Sequence, residues 1–300
     1  MAPPWTSSTK TISKISSNNA SVAGFSVPST FVPPTTPTTI SFSPSALAAS
    51  VARAAASSIA SSALIQAISK STDELVSAIV DDAGTDFAVE RSFFHLQDTE
   101  KTSLSSRVGA GISDMVCASY GNVWRCLASE LITTNSSLGD YLYEGGPASG
   151  HGVVLVEAKG SIGKNTTRGT VRSRATSGFT NQVAPHLGSS TSAGTIIYGY
   201  AVSSGTNPNS PPTNASIHVT EPFVPASGSG SRQDTDDQPF GVVSQKMALL
   251  NYRSVFRLCG GSVIVDAIDQ ILGPREVEFE RQPQRFRRVS AGGRFFIQGI

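Results

Sequence analysis

The sequence has little charge for its length. Only 15% of its 300 residues are charged, against about a quarter in ordinary soluble proteins. Ser, Thr, Ala and Gly are abundant instead, which indicates low-complexity segments beside a folded part. The formal net charge is +1, so bulk electrostatics neither favours nor excludes a polyanionic partner. Evidence for such a partner must come from local clusters of charge.

The sequence is also poor in the residues that hold soft metals or form disulfides. Its three cysteines, Cys117, Cys126 and Cys259, are too few and too scattered for a disulfide framework or a zinc knuckle. We interpret them as reduced core residues, because a free cysteine packs like a small hydrophobic side chain. The four histidines lack the close spacing of a metal motif such as HExxH, and none is predicted as a ligand.

Long hydrophobic runs are missing as well. No apolar stretch follows Lys10 and Lys14, as it would in a signal peptide. The most apolar later stretch, residues 46–68, consists mainly of Ala and Ser and contains Arg53. It falls short of the roughly 20 strongly apolar residues that span a bilayer. We therefore expect a cytoplasmic protein without a membrane partner.

The first third of the chain divides into two segments. Residues 1–43 are rich in Ser, Thr and Pro, so we expect them to be disordered, with too little apolar surface to offset the entropy of ordering. Residues 44–97 are predicted to form a helical extension, in which Leu64, Ile68, Leu75 and Ile79 make one apolar stripe. The stripe fits a structural helix that packs within the protein, and also an oligomerisation helix in a homo-oligomer.

Residues 98–225 are predicted to form an α/β core. The core begins with a helix that has one apolar face, and strands follow over residues 122–131, 140–144 and 153–159. A helix over residues 168–184 ends before Pro185, and a buried strand covers residues 195–202. Beyond a Gly/Ser/Asp-rich linker near residues 226–237, we expect residues 226–300 to pack a helix and a strand on the core.

Two charged residues follow the apolar run Val153–Val156. Glu157 and Lys159 are two apart, so they point to the same face of a strand. Burying either one without a partner is costly, which leaves two interpretations. One is a cross-strand ion pair. The other is a divalent metal site, because Asp140 begins the preceding strand and Mg²⁺ or Mn²⁺ favours carboxylate oxygens.

Asp140 and the later Glu157-Ala158-Lys159, in a helix-strand-strand-strand-helix-strand order, resemble the PD-(D/E)xK nuclease superfamily. The resemblance implies a restriction-endonuclease-like core, with a mixed central sheet flanked by helices. It also implies that Asp140, Glu157 and the Ala158 carbonyl hold the metal, and that Lys159 orients or activates the attacking water. Members of this family often place a Gln or a basic residue on the next helix, a role that Gln182 or Arg172 would fill. An acid on the first helix would be Glu100 or Asp114.

The charge distribution supplies a second signal. No Asp or Glu occurs between Gly160 and Thr220, while four basic residues closely follow the motif: Lys164, Arg168, Arg172 and Arg174. Arg168 and Arg172 are one helical turn apart near a helix N-terminus, whose dipole adds to a positive field. This pattern favours nucleic acid, with DNA preferred over RNA. The alternative is a solvated basic helix end.

Together these patterns predict a Mg²⁺- or Mn²⁺-dependent nuclease that hydrolyses phosphodiester bonds. Because a fold does not establish an activity, the competing prediction is a catalytically inactive binding or scaffold protein that retains the same fold.

Overall fold

The computed structural model describes the backbone of most of the chain. The described residues are 5–6, 8–18, 22–27, 31, 37–55, 60–122, 124–132, 137–145, 148, 151–209, 215–223, 242–273, 286–291 and 294–299.

The protein is a mixed α/β structure in which helices flank a mixed sheet. The helices are α1 (Pro44–Ala55), α2 (Ser62–Ile79), α3 (Asp98–Ser119), α4 (Arg168–Gly178), α5 (Val242–Leu258) and α6 (Ser262–Leu272). The strands are β1 (Lys10–Asn18), β2 (Thr39–Phe42), β3 (Trp124–Leu127), β4 (Tyr141–Glu144), β5 (Val153–Ile162), β6 (Ser190–Thr191), β7 (Gly194–Thr206), β8 (Ser216–Glu221), β9 (Phe286–Ala291) and β10 (Arg294–Gly299).

The main sheet has the strand order β2-β1-β8-β7-β5-β4-β3, with β6 paired to β7. Strands β3, β4 and β5 are antiparallel neighbours, and β7 runs parallel to β5 on its other side. The connection from β5 to β7 passes through α4, as parallel strands require. From α3 to β7 the chain runs through a helix, three strands and a second helix, and the two-residue β6 precedes β7. Strands β9 and β10 pair with each other as a hairpin.

The sheet separates two hydrophobic clusters. On one face, Val154 and Val156 of β5 pack with Val108 and Ile112 of α3. On the other, Leu155 of β5 packs with residues of the α4 region and α5, including Phe179 and Met247. Alternation along β5 produces this division, because successive side chains of a strand point to opposite faces. Glu157 and Lys159 continue the face of Leu155, toward α4.

Two glycines allow α3 to approach β5 closely. A Cβ on Gly109 would lie 2.5 Å from the Cα of Gly160, and a Cβ on Gly160 would lie 1.8 Å from the Ser105 carbonyl oxygen. Neither position has room for a side chain. Glycine disfavours helix, so Gly109 weakens the helical signal of the sequence. Its role is in packing, because it lets α3 lie against β5.

The N-terminal segment differs from the prediction of disorder. β1 lies inside the sheet, parallel to β8 and antiparallel to β2. Trp5 is fully buried, and its ring contacts Phe42 and Phe87. The prediction was wrong for these residues because it averaged composition over 43 residues. A few large side chains, widely spaced, bury enough surface to order the segment.

The helical extension is present, but the predicted stripe is buried only at Ile79. Leu64 and Leu75 of α2 are exposed, whereas Ile65, Val76 and Ile79 are buried. Ile65, Thr72 and Ile79 follow one another at intervals of seven residues and lie on the packed side of the helix. This side is adjacent to the predicted stripe. The single helix expected within residues 226–300 is two helices, α5 and α6, separated by residues 259–261.

The predicted linker near residues 226–237 lies outside the described residues. Within the described part of the chain, no helix is long and apolar enough to cross a membrane.

Candidate functional site

The β4–β5 hairpin sets Asp140 beside Glu157. Tyr141 pairs with Val156 in this antiparallel ladder, so the residue before Tyr141 and the residue after Val156 are neighbours. A hydrogen bond fixes the arrangement, because the Ala158 main-chain N–H donates to Asp140 Oδ2 over 2.9 Å. The Asp140 carbonyl accepts from the Ala128 N–H at 2.9 Å, so both its main chain and its side chain are held.

Glu157 is the buried member of this acidic pair, with 1% of its surface exposed, whereas Asp140 is exposed. Lys159 forms an ion pair with Glu157 Oε1. Among the described residues, no donor reaches Glu157 Oε2, which is buried. Burial and then the negative charge of Asp140 raise the pKa of Glu157 to about 8. Desolvation of its carboxyl group raises the pKa of Asp140 as well, so both members of the pair take up a proton more readily than free carboxyl groups do.

Gln182 completes the cluster from the segment that follows α4. Lys159 Nζ donates to Gln182 Oε1 at 2.8 Å, and Gln182 Nε2 donates to the Leu138 carbonyl at 3.2 Å. The second bond orients the amide so that its oxygen faces the lysine. Lys159 thus has two acceptors, one on Glu157 and one on Gln182.

The chain after α4 changes its helical form. Residues Phe179–Val183 make a π-helical turn, followed by a 3₁₀ turn over Ala184–His186. Pro185 has no N–H to donate and clashes with a regular helix, which accounts for the change. Such π-turns often occur at functional sites. Here the turn carries Gln182 and leads to His186, whose Nε2 lies 2.9 Å from the Ser137 carbonyl.

The structure therefore brings four predicted site residues together: Asp140, Glu157, Lys159 and Gln182. Ala158 contributes main-chain groups only, since its side chain packs on the opposite cluster. Its N–H and C=O point to the same edge of the strand, so its carbonyl faces the edge where Asp140 lies. Arg172, the alternative to Gln182, is exposed on α4 instead and lowers the pKa of His218, after the larger effect of burial on that ring.

The other predicted basic residues do not all meet at the acidic pair. Arg174 is nearest in the fold, because its Nη1 donates to the carbonyl of Gly160, the residue after Lys159, at 3.2 Å. Lys164 lies over the Phe94 ring, 5.3 Å from its centroid. Arg168 is exposed at the start of α4. The four residues lie along one connection, from the end of β5 to the middle of α4.

The carboxylate oxygens of the acidic pair are suitable ligands for a hard dication. Two carboxylates and a nearby carbonyl match the oxygen ligands that Mg²⁺ takes together with water. One of these oxygens, the buried Glu157 Oε2, has no hydrogen-bond donor among the residues that the structure describes. Within the described residues there is no group of three or more His, Cys, Asp or Glu that could hold a metal ion. A metal here would depend on Asp140, Glu157, the Ala158 carbonyl and water.

The sequence reasoning missed a second buried polar cluster, on the α3 side of the sheet. Asp114 Oδ1 accepts from the Tyr143 hydroxyl at 2.8 Å and lies 3.2 Å from Arg125 Nη1. Arg53 Nη1 lies 3.8 Å from Asp114 Oδ2. Burial opposes ionisation of Asp114, but the two arginines outweigh it, and the pKa of Asp114 is lowered. One signal was available, since Asp114 lies beside the apolar face of α3.

This cluster removes one predicted first-helix acid from the acidic pair. Asp114 is committed to Arg125 and Arg53, and the other candidate, Glu100, is exposed in the first turn of α3.

Comparisons with known proteins identify no relative of the chain. No protein-family model matches the chain, and no curated protein or solved structure matches it.

Proposed function

We propose that the chain is a metal-dependent phosphodiesterase that acts on nucleic acid, with a PD-(D/E)xK-type core. The observation that carries the proposal is the convergence of Asp140, Glu157, Lys159 and Gln182 on adjoining elements. The arrangement of three antiparallel strands, a helix and a strand parallel to the third supports the same assignment.

Each residue has a chemical role in this proposal. Asp140, Glu157 and the Ala158 carbonyl would hold Mg²⁺ or Mn²⁺, because these hard cations favour oxygen ligands. The ion, when bound, would supply positive charge that polarises a phosphoryl oxygen and makes water a better nucleophile. Lys159 would orient the attacking water and stabilise the negative charge that develops in the transition state. Gln182 would hold the Lys159 ammonium in place through its amide oxygen.

The nucleic acid would approach along the basic connection between β5 and α4. Arg174 is anchored at Gly160, next to the strand that carries Glu157 and Lys159. Arg168 and Arg172 are exposed further along the same helix. Arginine donors of this kind contact phosphate without reading base sequence, so they would position the substrate rather than select it.

A specific observation favours the competing function, a catalytically inactive binding or scaffold protein. Lys159 is already paired with Glu157, and the pKa of Glu157 is raised to about 8 by burial and by Asp140. A protonated glutamic acid is a poor ligand for a dication. In that case the cluster would stabilise the hairpin and the α4 region, and the fold would serve an interaction.

Hydrolysis assays decide between the two. Purified protein is incubated with supercoiled plasmid and with RNA, in Mg²⁺, in Mn²⁺ and in EDTA. We expect cleavage with the metals and none in EDTA. Asp140→Asn should abolish cleavage, whereas Asp98→Asn, which changes an exposed acid paired with Lys101, should leave it unchanged. Wild-type protein that binds no metal and cleaves neither substrate would leave the scaffold function as the conclusion.

A further inference from the structure

Two consecutive carbonyls just before Asp140 are each held by a side chain from the turns after α4. Gln182 Nε2 donates to the Leu138 carbonyl at 3.2 Å, and His186 Nε2 lies 2.9 Å from the Ser137 carbonyl. We call this arrangement the carbonyl clamp. Only the residue Gly139 separates the clamped carbonyls from Asp140.

The chemistry of the clamp defines the state of His186. A carbonyl oxygen only accepts hydrogen bonds, so Nε2 must carry the proton in this contact. His186 is buried, with 7% of its surface exposed, so water does not readily replace the bond. The ring is thus a fixed donor directed at the main chain of Ser137.

Gly139 connects the clamp to the acidic pair. A Cβ at Gly139 would lie 3.0 Å from the Val156 carbonyl oxygen and 3.1 Å from Leu155 Cγ, so the chain lies closely against β5. On the far side, Ala128 holds the carbonyl of Asp140. The main chain of Asp140 is therefore fixed from both directions, and its carboxylate reaches the Ala158 N–H.

We propose that His186 is a positioning residue: together with Gln182 it fixes Ser137–Gly139 and so holds the Asp140 carboxylate beside Glu157. The effect on catalysis rests on the proposed function, whereas the effect on the position of Asp140 does not. Gln182 touches Lys159 directly, while His186 contacts only the main chain. His186 therefore acts through Asp140 and takes no part in bond breaking.

Amide hydrogen exchange tests the position of Asp140 without any reaction. The variants are His186→Leu, which keeps the bulk and removes the donor, and His186→Gln, which places an amide donor near the position of Nε2. Exchange at the Ala158 N–H is measured by NMR, with Asp140→Ala as the reference for complete loss of its acceptor. We expect His186→Leu to accelerate this exchange about tenfold, toward the Asp140→Ala rate, and His186→Gln to remain near wild type.

Two controls separate this effect from general loosening of the fold. Exchange at the Leu155 N–H, in the paired part of β5, should not change in His186→Leu. Asn181→Ala, an exposed change in the same turn, should leave Ala158 exchange as in the wild type. Equal Ala158 exchange in His186→Leu and wild type would overturn the proposal. If His186→Leu does not fold, His186→Asn takes its place, because its shorter amide lies at the position of Nδ1 and does not reach the Ser137 carbonyl. Faster Ala158 exchange in a folded His186→Asn would support the role, and unchanged exchange would overturn it.

Mn²⁺ titration and kinetics then test the consequence for the site. In His186→Leu we expect Mn²⁺ affinity and kcat to fall about tenfold, with KM for nucleic acid unchanged, and His186→Gln to restore both. If wild-type protein shows no hydrolysis, the proposed function fails, but the exchange result still stands. If wild-type protein is active and His186→Leu loosens Ala158 yet keeps full kcat, the positioning role in catalysis is excluded.

Discussion

A Cβ on Gly178 would lie 3.1 Å from Glu157 Cγ, so the end of α4 contacts the buried acid with no side chain between them. The same Cβ would lie 3.6 Å from Lys159 Cε. Gly178 has ordinary helical dihedral angles, so the backbone conformation does not require a glycine here. The glycine instead leaves room for the side chain of Glu157. The packing of α4 at Gly178 therefore affects the position of Glu157 in the candidate site.

Gly178→Ala should move Glu157 while costing little stability. Alanine favours helix by about 1 kcal/mol over glycine, which offsets part of the tight contact. We expect Mn²⁺ affinity, measured by calorimetry, to fall several-fold with a small change in melting temperature. Gly169→Ala is the matched control, because its Cβ would make only an ordinary contact, 3.6 Å from Thr167 Oγ1. Unchanged Mn²⁺ affinity in Gly178→Ala would show that Glu157 adapts or does not bind the ion.

Glu157→Gln and Lys159→Ala should both abolish hydrolysis but differ in metal binding. Glu157→Gln removes a charged oxygen ligand, and an amide oxygen is a poorer ligand for a hard dication, so Mn²⁺ affinity should fall. Lys159→Ala removes a positive charge next to the ion, so affinity should hold or rise while the rate falls. Calorimetric titration and plasmid cleavage measure the two effects. Full activity in both variants would identify the residues as a structural ion pair.

The raised pKa of Glu157 makes a prediction about stability and pH. Its ordinary value is 4.5 and its folded value is about 8, so between these values the folded protein holds a proton that the unfolded chain has lost. Stability from this group is therefore complete below about pH 4.5 and is lost as the pH rises to about 8. By linkage the loss is at most about 5 kcal/mol.

Urea denaturation in EDTA, from pH 5 to pH 9, measures this loss. We expect wild-type stability to decline relative to Glu157→Gln across the range, because glutamine cannot ionise. Parallel curves for the two proteins would mean that Glu157 titrates normally.

Much of the geometry of the candidate site was predictable because it depends on strand geometry. The two-residue spacing of Glu157 and Lys159 sets a common face, and the hairpin register brings Asp140 to Glu157. The clamp was not predictable, because His186 reaches Ser137 across 49 positions of sequence and depends on how α4 ends. Periodicity reports which face of an element is apolar, but it does not report such contacts.

The fold was predictable in class and order, and less so in its edges. Strands β4, β5 and β7 carry continuous runs of apolar and aromatic residues, so their patterns are strong. β1 has only Ile12 and Ile15 as large apolar residues, and Ile15 is exposed, whereas Lys10 and Lys14 are buried on the same face as Ile12. Its strand is set by pairing with β8 and β2, which are distant in sequence. The choice of Ile65 over Leu64 as the packed side of α2 likewise depends on its tertiary neighbours.

Asp114→Asn should destabilise the protein strongly. The change leaves Arg125, which is 3% exposed, without its charged partner, and breaking a buried ion pair on one side costs about 3 to 5 kcal/mol. Urea denaturation should show the loss without a change in the slope of the transition. Asp98→Asn is the control, since Asp98 is exposed and forms a surface ion pair with Lys101, and its midpoint should not move. A loss below about 1 kcal/mol for Asp114→Asn would mean that Tyr143 and the surrounding groups compensate the arginines.

Trp5→Ala should cost about 3 to 5 kcal/mol, as large aromatic truncations in cores do. Trp5 is fully buried between Phe42 and Phe87, its Nε1 donates to the Ser8 carbonyl at 2.6 Å, and its main-chain N–H donates to Ser77 of α2 at 2.9 Å. Thermal and urea melts measure the effect, with Phe223→Ala as the control because Phe223 is 48% exposed.

Removing residues 1–18 should lower the stability more than Trp5→Ala does. That deletion removes β1, which lies between β2 and β8, so it leaves an unpaired strand edge in addition to the lost core. A truncated protein with a wild-type melting temperature would show that the N-terminal segment docks without stabilising the sheet.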